Sequence, residues 1–76
     1  MHTKSSTSKL ARKLYALRMA AGLTQVELAI AADVSIQTVA GIEQGKRQGS
    51  PRTLRQLAHA LGIDPAELRS ITPSRS

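Results

Sequence analysis

Two helix-start signals stand eleven positions apart, at Thr24 and Ser35, in the run TQVELAIAADVSIQTVAGIEQG over residues 24–45. At Thr24 the pattern Thr–x–x–Glu sets Glu27 at the third helical position. There each side chain satisfies an otherwise orphaned backbone N–H of the other residue. Val26, Leu28 and Ala29 follow as apolar or small positions, and Ala31 and Ala32 lead into Asp33. Ser35 then caps a second helix that runs to about Gln44, with Gly45 as its stop. Val39 and Ile42 lie three apart and share the inner face of that helix, while its other face is polar. Isolated helices shorter than about 12–15 residues are marginal in water, so both must dock on the rest of the chain.

The remaining sequence supplies a small core and little else. Seventy-six residues allow one domain. The hydrophobic fraction is 41%, yet Tyr15 is the lone aromatic residue, so the core is built from Leu, Ile, Val, Ala and Met. Alternating strands of β-branched and aromatic residues are absent, which predicts an all-α bundle. Without cysteine there are no disulfides and no thiolate metal sites. No apolar run approaches the roughly 20 residues of a membrane span, and no signal-peptide pattern follows the start. A cytoplasmic protein is expected. The net charge of +6 favours a polyanionic partner, above all nucleic acid. A membrane surface is disfavoured, since no helix backs a broad apolar face with Lys and Arg.

Residues 1–7 read as a flexible basic arm, residues 8–71 as the folded domain and residues 72–76 as a frayed tail. The first helix is expected to start at Thr7 or Ser8 and end before Gly22, with Leu10, Leu14, Leu17 and Ala21 as its buried stripe. Arg18 sits beside that stripe, where its natural partner is a carboxylate from a neighbouring helix. Ser50 as cap and Pro51 at the first helical position open a fourth helix. Its stripe is Leu54, Leu57, Ala58 and Leu61, its stop is Gly62, and His59 lies off the stripe. Asp64 and Glu67 suggest another capping box before a last short helix carrying Leu68 and Ile71.

The run LRMAAGLTQVELAIAADVSIQTVAGIEQGK, followed by TLRQLAHALGI, resembles the Cro/repressor (XRE-type) helix–turn–helix family of phage repressors and small bacterial regulators. The resemblance covers roughly residues 10–68. It implies a compact five-helix bundle of the lambda-repressor kind, with the second and third helices forming the helix–turn–helix. It also implies binding of double-stranded DNA as a homodimer, formed mainly on the DNA, at a palindromic operator. Arg18 and Glu43 correspond to positions that form an ion pair between the first and third helices. The turn usually holds Gly. Asp33 stands there instead, a mild departure because Asp tolerates the left-handed region better than most residues.

Only in the major groove do all four base pairs look different to a docked helix. The expected base readers are therefore Ile36, Gln37, Ala40, Gly41 and Gln44 on the outward face of the third helix. Gln37 suits adenine, and Ile36 or Ala40 suits a thymine methyl. No Arg or Lys lies within this helix, which suggests an AT-biased site, and a mid-helix Gly41 is unusual. Thr24, Gln25, Ser35, Thr38, Lys46, Arg47 and Arg52 are the expected phosphate contacts. Arg47 has a second option, reaching a base edge from the loop. Ile63, Leu68 and Ile71 are the expected dimer surface, with closure of the monomer core as the alternative for Leu68. No carboxylate pair, nucleophile constellation, phosphate-cradling loop or metal-ligand spacing is present, so neither catalysis nor a cofactor is expected. One aromatic residue is too few for a single-strand stacking platform. The alternative function is a partner-dependent module of the antitoxin type, or a restriction–modification controller.

Overall fold

The computed structural model describes residues 9–69. The arm at residues 1–7, the tail at 72–76, and Ile71 lie outside them. The described residues form helices α1 (Lys9–Ala20), α2 (Gln25–Ala32), α3 (Ile36–Glu43), α4 (Pro51–Leu61) and α5 (Pro65–Arg69), with no strand among them.

The starts of α2, α3 and α4 follow from a short polar side chain in extended geometry. Thr24 Oγ1 accepts the Glu27 N–H at 3.0 Å, and Glu27 Oε1 accepts the Thr24 N–H at 2.9 Å, closing the capping box. Ser35 and Ser50 accept the N–H groups of Thr38 and Thr53 at 3.1 and 3.2 Å. At α5 the expected box is altered: Asp64 Oδ1 accepts the Ala66 N–H at 2.9 Å, one position earlier than predicted.

The ends repeat one device. After α1, α2, α3 and α4 a left-handed residue (Gly22, Asp33, Gly45 or Gly62) turns the chain back. The next N–H then reaches a carbonyl five residues earlier: Leu23 to Arg18, Val34 to Ala29, Lys46 to Gly41 and Ile63 to Ala58. This satisfies carbonyls that a helix end leaves orphaned. Asp33, with φ 58° and ψ 45°, is the one non-Gly member among the described residues. It makes the turn between α2 and α3.

Inside, α2 packs on α3 and α4, α4 on α5, and α1 on α3. Leu10, Leu14, Leu28, Val39, Ile42, Leu57 and Leu68 are buried almost completely. Ala29 and Ala32 are buried as well. The small Ala29 side chain lets α2 lie close to its neighbours, and Val39 and Ile42 anchor α3 from beneath.

Two expectations need correction. Ala21 is exposed, because α1 stops at Ala20 and the chain is already turning towards Gly22. Ala11 and Arg18 complete the buried side of α1 instead, alongside a half-buried Leu17. Leu68 is wholly inside the monomer, at 0% exposure, and leaves nothing for a second subunit. Ile63 also packs against the core and is only partly accessible.

The left-handed turn generates a stability prediction. Replacing Asp33 by Gly should raise the unfolding free energy by about 0.5–1 kcal/mol, because glycine lacks the Cβ that crowds this conformation. Asp33→Val should lower it by at least that much, both read from chemical denaturation at constant slope. A destabilised Asp33→Gly would contradict the strain assignment.

Candidate nucleic-acid interface

The site is assembled around Arg18, whose residue exposure is only 7%. Its Nε donates to Glu43 Oε2 at 2.6 Å and its Nη2 to Glu43 Oε1 at 2.9 Å, a bidentate pair between α1 and α3. Nη1 donates to the Leu23 carbonyl at 2.8 Å, so the same side chain also grips the approach to α2. Gln25 Nε2 donates to Glu43 Oε1 at 3.1 Å and brings the first residue of α2 into the network. The Tyr15 ring lies 5.2 Å from the guanidinium carbon, within cation–π range. Tyr15 was not foreseen in this role, although its position three residues before Arg18 on one helix places it there.

Burial alone would disfavour a charged guanidinium. The hydrogen bond to Glu43 outweighs that effect and raises the Arg18 pKa above its ordinary value. A raised folded-state value means the stabilisation is fully present below the unfolded pKa and fades only as pH climbs through the folded one. On the Arg18 side the pair is therefore insensitive to pH except in strong alkali.

This clamp presents the polar side of α3 outward. Gln37 and Gln44 are exposed, Ile36 is 40% exposed, and Ala40 and Thr38 are partly covered. The Ser35 and Thr38 hydroxyls lie 2.9 Å apart, and Ser35 Oγ also accepts the Thr38 N–H. One hydroxyl proton is used between the two, which leaves one to donate to an outside acceptor. Thr24 is exposed at the start of α2, with Gln25 partly covered beside it. Lys46, Arg47 and Arg52 are all exposed around the loop that joins α3 to α4.

Gly41 does not fit the expected picture. It is buried, because the side chain of Arg47 lies over it. It has no outward side to offer a base directly.

Beside these groups an open groove of about 480 Å³ runs between Arg12 and Tyr15 on α1, Gln25 on α2 and Gln44 after α3. A second, of about 560 Å³, is lined by Met19, Leu23, Val26 and Ile36. Val26 and Ile30 are 50% and 74% exposed, so α2 turns an apolar edge outward that its sequence alone did not reveal.

Two short helices joined by a tight left-handed turn, the second held by a buried clamp with its polar side exposed, define a helix–turn–helix. Comparison with known proteins agrees. A family described as a helix-turn-helix domain matches residues 9–71, and the chain belongs to it. Its class is that of DNA-binding transcription regulators, of the Cro/repressor type that the motifs resemble. The chain is 40% identical over 58 residues to y4dJ, an uncharacterized HTH-type transcriptional regulator of Sinorhizobium fredii, covering 76% of this chain and 73% of that protein. Among solved structures it is similar to the restriction-modification controller protein C.AhdI from Aeromonas hydrophila. That pair has 40% identity and a TM-score of 0.75, covering 79% of this chain and 91% of the other. It is also similar to the clp gene regulator ClgR from C. glutamicum. There the identity is 29% and the TM-score 0.73, covering 90% and 88%. No helix among the described residues is long and apolar enough to cross a membrane.

The clamp generates the next prediction. Arg18→Met alone should cost roughly 3–5 kcal/mol, because it strands the Glu43 carboxylate in a poorly solvated place. Adding Glu43→Leu should restore part of that loss. Thermal or denaturant unfolding of the single and double variants checks it, and a double variant no more stable than Arg18→Met alone would refute the clamp.

Proposed function

We propose that this protein binds a two-fold symmetric operator in duplex DNA as a homodimer, laying α3 in the major groove and acting as a transcriptional repressor in the cytoplasm. The single observation that carries this reading is the clamped, outward polar face of α3. Among the described residues nothing uses the side chains of Gln37 and Gln44, while Val39 and Ile42 anchor the opposite side of the helix. In this pose Gln37 reads adenine through its amide, and Ile36 and Ala40 meet thymine methyls.

Phosphate contacts flank the helix. Gln25, Thr24 and the unused hydroxyl proton of the Ser35–Thr38 pair face one strand at the start of α2 and α3. Lys46 and Arg52 follow the backbone beyond the loop, and with the net charge of +6 they supply a strongly salt-dependent attraction. Two modules acting together overcome the weak grip of one. With Leu68 withdrawn into the core, the two-fold contact would rest on the surface beside Ile63 and on residues beyond Arg69.

A restriction–modification controller is a second reading of the same chemistry, favoured by the 40% identity to C.AhdI. It changes the genes served and leaves the DNA face unchanged.

Selection from random duplex DNA, followed by binding across a salt series, tests the function. An enriched motif with two-fold symmetry and half-sites about one helical turn apart is expected. Gln37→Ala should cost about 1–3 kcal/mol at one base position and relax preference there. Lys46→Ala should weaken all sequences alike and reduce the salt slope by about one. Salt-dependent binding with no enriched motif would overturn the operator reading.

A further inference from the structure

Gly41 lies in the row Gln37–Gly41–Gln44, whose spacing of four and three puts all three on one side of α3. Its neighbours in that row are exposed, yet Gly41 is buried. A Cβ built on it would meet Arg47 Cδ at 2.8 Å, Cγ at 3.0 Å and Nε at 3.1 Å. The Arg47 stem therefore occupies the space that a side chain at position 41 would take.

The backbone holds the two residues together. Gly45, with φ 79°, reverses the chain after α3, and the Gly41 carbonyl then accepts the N–H groups of both Lys46 (2.9 Å) and Arg47 (3.2 Å). Arg47 is thus fixed over the last turn of α3, and its stem crosses the helix at the residue that lacks a side chain. Gly41 is not left-handed, so glycine's backbone freedom does not explain its presence. In mid-helix it costs about 1 kcal/mol against alanine. Room for Arg47 is the physical reason visible in the structure.

We propose that Gly41 is a positioning residue: its missing side chain forms a slot for the Arg47 stem, which makes Arg47, from the loop after α3, the guanine-reading side chain of the α3 face. This rests on the reading of α3 as the DNA-facing helix and deepens it. A helix without Arg or Lys of its own gains the bidentate donor that best matches guanine N7 and O6. Arg47 would then specify sequence, whereas Lys46 and Arg52 only hold the backbone. The operator would carry a fixed G·C pair within each otherwise AT-biased half-site.

The experiment compares wild type, Arg47→Ala, Arg47→Lys, Gly41→Ala and the Gly41→Ala/Arg47→Ala double variant. Each is tested on the wild-type selected duplex and on its versions carrying the other three base pairs at each half-site position. Arg47→Ala should lose between about fivefold and a hundredfold in affinity for the selected site and level the preference at one G·C position. Arg47→Lys should keep the salt slope but not that preference, since an ammonium lacks the planar fork. Gly41→Ala should reproduce the loss of preference with Arg47 intact, while melting no lower than wild type because alanine favours the helix. The double variant should bind no worse than Arg47→Ala alone.

Gly41→Ala with a wild-type affinity and base profile would overturn the slot. An Arg47→Ala variant that weakens every duplex equally would overturn the base contact and leave a phosphate contact in its place. Wild type that enriches no duplex at all would overturn the DNA reading beneath both.

Discussion

A buried guanidinium holds this domain in its working shape. Arg18 touches all three helices that matter for recognition: it sits on α1, binds the Leu23 carbonyl ahead of α2, and grips Glu43 at the end of α3. Glu43 in turn receives the Gln25 amide from α2. Taking charges out of water is costly, and an ion pair of this kind is tolerable only when its remaining donors and acceptors are also met. Here each guanidinium nitrogen has an oxygen partner, and both carboxylate oxygens are used. The geometry such a network demands is narrow. The orientation of α3 is therefore set by hydrogen-bond directions, and by the close fit of Ala29, Val39 and Ile42 beneath it.

The same economy shapes the chain reversals. A core made of Leu, Ile, Val and Ala side chains has limited area, so helices of 8 to 12 residues must stop where their neighbours need them to. The left-handed residue after each of α1 to α4 does this while keeping terminal carbonyls bonded. After α3 that closure also delivers Lys46 and Arg47 to the edge of the exposed face. Terminating the helix and furnishing its surface are accomplished by one turn.

Much of this was legible in the sequence because it rests on local chemistry. Thr24 with Glu27, Ser35, and Ser50 with Pro51 announce the starts of α2, α3 and α4, and Asp33 marks the turn. The Arg18–Glu43 pair was legible by resemblance. What escaped depends on where chains cross in space. Ala21 has the right spacing for burial, but α1 ends one residue before it. The sequence leaves Leu68 between a dimer surface and the monomer core, and the packing of α5 on α4 and α1 puts it in the core. The exposure of Val26 and Ile30 on α2 carries no local signal either, because their spacing alone does not say which apolar residues a neighbouring helix covers. Gly41 was read as an exposed position because periodicity reports the direction of a Cα and not what another segment lays over it. The six-residue separation from Arg47 carries no helical signal, since the reversal at Gly45 lies between them.

Mapping amide chemical-shift changes on adding a selected duplex would test most directly whether this face of α3 meets DNA. The largest changes should fall at Thr24 and Gln25, across Ser35 to Ala40, and from Gln44 to Arg47, with α5 little affected. Changes centred on Val26 and Ile30, or on α4 and α5 with α3 unmoved, would contradict the assignment and place the contact surface elsewhere on the fold.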